Sequence, residues 1–73
     1  MTFPEYITAA RNRIGWSGPV AAGRIGCAKS TLHSLEHGKS RPTLLMAARI
    51  AHAYDVPIED LAELIIKKGD HEA

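Results

Sequence analysis

Cysteine occurs once in the 73 residues, as do tryptophan and phenylalanine, and aromatic residues make up only 5% of the chain. A lone cysteine builds no disulfide framework and no zinc cluster of the cysteine type, so the composition predicts a reducing compartment. No apolar run approaches the roughly 18 residues of a membrane span. The opening MTFPEY has neither the basic region nor the long apolar core of a signal peptide, so a soluble, cytoplasmic protein is expected. Internal repeats and low-complexity tracts are missing too. So is a dominant charge: nine Lys and Arg stand against eight Asp and Glu, a formal net charge of +1. What is present is a 45% hydrophobic fraction, too high for a disordered tail. The length predicts one domain over residues 1–73, near the lower limit for folding on a core alone, because domains of about 60 residues bury only about 60% of their unfolded surface. Any site on it is small and shallow, and neither catalysis nor a cofactor is expected.

The small total charge conceals an asymmetry. Residues 1–49 carry seven basic groups against two acidic ones, net +5, and residues 50–73 carry two basic groups against six acidic ones, net −4. A basic portion joined to an acidic one predicts that the first half meets a polyanion while the second does other work, with a merely solvated surface as the alternative.

Helix punctuation divides the chain into five short segments without a convincing strand. Thr2 and Glu5 have capping-box spacing, Ile7, Ala10, Arg11 and Ile14 follow at helical intervals, and Gly15 closes the segment. Ser17 caps a second helix from about Gly18 to Ile25; Pro19 is tolerated in its first turn but donates no amide, so the Ser17 hydroxyl is expected to bond Val20. Trp16 before the cap is placed over Ala21 as a hydrophobic staple. Gly26 ends this helix, and a third runs from about Ala28 to His37 with Leu32 and Leu35 inward. Thr43 caps a fourth, to about Tyr54, whose buried face is read as Leu44, Ala47, Ala48, Ala51 and Tyr54. After Asp55, Val56 and Pro57, the fifth runs from Ile58 to Lys68 and ends at Gly69.

Gly18 to Leu35 is the informative stretch. Two helices that cross steeply over a short turn need a small residue at the crossing, supplied by Ala22, and a residue tolerating positive φ in the turn, supplied by Gly26. Ala21, Ile25, Cys27, Leu32 and Leu35 take the inward positions and leave Lys29, Ser30, His33 and Ser34 outward. With Gly15-Trp16-Ser17, Ala21-Ala22, Gly26-Cys27, Ser30-Thr31-Leu32 and Leu35-Glu36-His37-Gly38-Lys39 followed by Pro42, the chain resembles the Cro/repressor (Xre-type) helix-turn-helix family of phage and bacterial regulators. The resemblance covers about Ile7 to Leu61. It implies an all-α, five-helix, lambda-repressor-like domain whose helix-turn-helix spans about residues 17–37, and a structural ion pair between Arg11 and Glu36. An internal glutamate without a cationic partner costs several kcal/mol, so both residues are given a structural role.

The resemblance further implies that the third helix lies in the major groove of double-stranded DNA. Lys29 and Ser30 then stand first in line for base edges, with His33 and Ser34 one turn on. Ser17, Gly18, Thr31, His37, Lys39 and Arg41 are expected on the DNA backbone, where they position rather than read; for Thr31, packing near the helix start is an equal alternative. Two positions depart from the family pattern. Gly18-Pro19 stands where relatives place a phosphate-clamping glutamine, and Ala28 stands where they place a serine or threonine cap. Both changes lower affinity per subunit and make a homodimer more necessary. Leu61 and Ile65, which also close the core, together with Leu64, Ile66, Leu45 and Met46, are the candidate interface. A symmetric dimer places two reading helices about 34 Å apart and predicts an inverted-repeat operator. The function expected is a repressor of phage or mobile-element origin, with a restriction–modification controller as a close variant. The competing reading is a protein-interaction module or antitoxin whose protein partner covers the C-terminal helix. His33 and His37 have i, i+4 spacing, but a metal site needs a third ligand, and none is expected.

Overall fold

Thr2 opens the first helix of the computed structural model, which describes residues 1–70, with side chains through Ile66. Residues 71–73, the end of the expected domain, lie outside the described residues, as do the side chains of Lys67, Lys68 and Asp70. Five α-helices follow one another, α1 (Phe3–Ile14), α2 (Gly18–Ile25), α3 (Lys29–Glu36), α4 (Leu44–Tyr54) and α5 (Ile58–Asp70), with no strand among the described residues.

The caps explain where the helices begin and end. Glu5 N–H donates to the Thr2 hydroxyl at 3.3 Å while Thr2 N–H donates to the Glu5 carboxylate at 2.8 Å, a reciprocal box that satisfies two first-turn amides. Val20 N–H donates to the Ser17 hydroxyl at 3.3 Å, and Met46 N–H donates to the Thr43 hydroxyl at 3.0 Å. Ala28 gives α3 no side-chain cap. Gly26, at φ +89°, turns the chain sharply enough to start α3 three residues later. Asp55 ends α4 at φ +55°, a conformation that a short polar side chain tolerates better than most. Three boundaries differ from the sequence expectation. α3 is one residue shorter at each end, and α5 passes through Gly69 to Asp70. Glycine weakens a helix interior by only about 1 kcal/mol, too little to force a stop.

The core draws on every helix. Ile7 of α1, Ala21, Ala22 and Ile25 of α2, Leu32 and Leu35 of α3, Ile50 and Tyr54 of α4 and Leu61 of α5 are all buried. The alanines let α2 approach its neighbours closely. The buried face of α4 is Ala47, Ile50, Ala51 and Tyr54 rather than the face expected. Leu44 is 77% exposed because it sits in the first turn, one turn before that face, and Ala48 is only half-buried. Ile14, on the last turn of α1, is exposed as well. Trp16, expected over Ala21, packs edge-to-face on Tyr54 with centroids 6.0 Å apart, and the Arg24 guanidinium lies 5.4 Å from its ring centre. The Tyr6 hydroxyl donates to Asp60 at 3.2 Å and ties α1 to α5. Tyr54 has a buried hydroxyl without a hydrogen-bond partner among the described residues. Burial pushes its phenol up to about 12, so it stays neutral at any working pH.

Candidate nucleic-acid interface

The crossing of α2 and α3 is held from both sides. Arg11, near the end of α1, donates Nε to Glu36 Oε2 at 2.7 Å and Nη2 to Oε1 at 3.1 Å. Its Nη1 donates to the Trp16 carbonyl at 2.9 Å. One guanidinium thus joins α1, the segment leading into α2 and the last residue of α3. The side chains are only 17% and 9% exposed, so this two-pronged pair is largely sheltered from water. The Glu36 bond pushes the already high Arg11 value up further. On the opposite side, Arg49 of α4 donates to the Gly26 carbonyl at 3.4 Å and braces the turn. Cys27 beside it is half-buried against the core, and burial pushes its thiol up.

This frame leaves an open cleft of about 390 Å³ between the start of α2 and the outer face of α3. Gly18 and Pro19 form one wall, and Lys29, Ser30, His33 and His37 form the other. Leu32 and the Arg11–Glu36 pair lie beneath. Lys29, His33 and His37 recur every four residues, which puts them on one helix stripe. Ser34, expected outward, is half-buried and does not line the cleft; its carbonyl accepts from Lys39 N–H at 2.9 Å. The helical rotation between His33 and Ser34 carries it off the exposed stripe. Thr31 is likewise half-buried. Ser17 is exposed with its hydroxyl engaged in capping, and Gly18 is half-buried. Lys39 and Arg41 are exposed on the loop after α3. Arg41 lines a separate cleft of about 300 Å³ with Phe3, Pro4, Pro42 and Ile65.

The two histidines are closer than their spacing alone implies. Their rings stack with centroids 3.9 Å apart and planes 20° from parallel, and His37 Nδ1 donates to the His33 carbonyl at 2.8 Å. Lone pairs of stacked rings lie in parallel planes and do not converge on one point, which is poor geometry for chelation. Among the described residues no group of three or more His, Cys, Asp or Glu is placed to hold a metal. The i, i+4 spacing was the signal for this stack. The Arg49 brace and the Trp16–Tyr54 contact join residues distant in sequence, and nothing local announces them.

The candidate interface residues divide by burial. Leu45 is 62% exposed and Ile66 59% exposed. Met46, Leu64 and Ile65 are half-buried against the core. Leu61 is wholly buried, so it closes the core of its own chain and has no surface to give a partner.

No helix among the described residues is long and apolar enough to cross a membrane. The profile of the helix-turn-helix domain family matches residues 5–64, a span from the first turn of α1 to the middle of α5. No curated protein and no solved structure matches the chain.

Proposed function

The chain belongs to the helix-turn-helix domain family, and from that premise we propose that it is a sequence-specific DNA-binding transcriptional regulator, a repressor that binds an inverted-repeat operator as a homodimer. The observation that carries this reading is the exposed stripe of Lys29, Ser30 and His33 on a short helix fixed by the Arg11–Glu36 fork. An α-helix fits the major groove, about 12 Å wide, and a lysine at its start reaches the N7 and O6 acceptors of guanine. In this reading Lys29 reads sequence, with Ser30 and His33 beside it. The Gly18 amide, His37, Lys39 and Arg41 hold phosphates, the first as a donor at a helix start. Ser34 is the weakest of the base-reading candidates because it is half-buried. The exposed Leu45 and Ile66 supply apolar surface for a second copy.

Ionic strength tests the polyanion contact without knowledge of the operator. With Lys39 and Arg41 each neutralising a phosphate, affinity per subunit is expected to fall about twelvefold between about 50 and 200 mM salt. A duplex affinity that is flat across this range contradicts the reading and favours a protein partner that covers the C-terminal helix.

A further inference from the structure

The histidine stack has a chemical asymmetry that the DNA-binding reading leaves unused. A carbonyl oxygen only accepts, so the 2.8 Å contact between His37 Nδ1 and the His33 carbonyl requires a proton on Nδ1. In neutral His37 that leaves Nε2 with a lone pair and no hydrogen. An acceptor nitrogen repels a phosphate oxygen, whereas the same nitrogen protonated donates a charge-assisted hydrogen bond to it. Most exposed histidines escape this choice by exchanging tautomers. Here the backbone bond opposes the exchange.

We propose that His37 contacts DNA phosphate only as an imidazolium, so that complex formation takes up one proton from solvent at His37 Nε2. The inference rests on the DNA-binding reading above. It is supported by place as well as tautomer, since His37 lines the cleft between α2 and α3 with His33, Lys29 and the Gly18 end of α2. The neighbouring ring limits the uptake to one proton. A neutral His33 face at 3.9 Å accommodates a cation, while a second imidazolium at that distance adds like-charge repulsion. Among the described residues, the other charged groups that line the cleft with the stack are Lys29 and Glu36 of α3 and Arg11 of α1, the last two neutralising each other. Gly18 and Pro19, which face it from α2, do not titrate. Lys39 follows on the loop.

The sign follows from the linkage. A phosphate favours the charged ring, so the bound complex holds its proton to higher pH than the free protein, and affinity falls as pH rises through neutrality. At constant ionic strength, the chain is expected to bind a duplex about tenfold more tightly near pH 6 than near pH 8. His37→Asn keeps an N–H to donate to the His33 carbonyl but has no titrating nitrogen, and it is expected to bring that ratio close to one. His52→Asn, an exposed change on α4, is expected to retain the ratio. Nitrogen-15 spectra of the free protein near pH 8 are expected to show the proton of neutral His37 on Nδ1. A His37→Asn ratio equal to that of the wild type, a wild type that binds equally at both pH values, or a neutral His37 protonated at Nε2 overturns the proposal. A chain that binds no duplex at either pH overturns the DNA-binding reading itself, and the coupling with it.

Discussion

Arg11→Met is expected to cost the fold about 2–4 kcal/mol, because it leaves the Glu36 carboxylate, 9% exposed, without the two donors that hold it. In a domain of this size, that loss lowers the melting temperature by about 10–25 °C. Uncompensated desolvation is the dominant effect: the attraction between the charges is modest once their hydration is counted, but removing one partner leaves the other with burial and no compensation. Arg11 also loses its bond to the Trp16 carbonyl, which frees the segment leading into α2. The double replacement Arg11→Met with Glu36→Leu removes both charges and is expected to recover more than half of the lost stability. Thermal unfolding of the two single variants and the double variant gives the coupling directly. A single variant as stable as the wild type would show that the fork is ornamental, and a double variant as unstable as the worse single one would show that lost packing, rather than the stranded carboxylate, sets the cost.

Leu61→Ala is expected to destabilise the chain by about 2–5 kcal/mol, the range for emptying a packed core position. Leu61 is wholly buried where α5 meets the rest of the molecule, and a domain with so small an apolar core has little slack to collapse into the space. Ile66→Ser, five residues on, is expected to change the stability of the monomer by less than about 0.5 kcal/mol, because its side chain is already 59% exposed. If Ile66 and Leu45 face a second copy, their replacement by serine weakens self-association in sedimentation while denaturant midpoints at low concentration stay put. Equal costs for Leu61→Ala and Ile66→Ser would mean that α5 does not close the core in the way its burial implies.

Local features were the legible ones. Thr2 with Glu5, Ser17, Thr43, Gly15 and Gly26 mark helix ends through bonds within four residues, and each does in the structure what its spacing implies. The Arg11–Glu36 pair spans 25 residues and was legible only through the family resemblance. Misreadings fall where a choice between neighbouring faces depends on tertiary packing. Ile50 rather than Leu44 completes the α4 face, because the stripe Ala47, Ile50, Ala51, Tyr54 is the one that meets the rest of the core. A helix wheel turns Ser34 outward, whereas it is half-buried, with its carbonyl accepting from the Lys39 amide of the following loop. By helical periodicity Leu61 suits both the core and an interface, and its complete burial decides for the core. The stacking of His33 on His37 depends on rotamers, which spacing allows without choosing.

Selection of bound sites from random duplex DNA, by the wild-type chain and by Lys29→Ala in parallel, tests the central claim most directly. The account predicts that the wild type enriches an inverted repeat with half-site centres about one helical turn apart. It predicts that Lys29→Ala loses preference for guanine at one position of each half-site, a discrimination worth about 1–3 kcal/mol, while the rest of the site persists. Enrichment of no sequence by the wild type, or a site unchanged by Lys29→Ala, would contradict the assignment of α3 as the reading helix with Lys29 at its head.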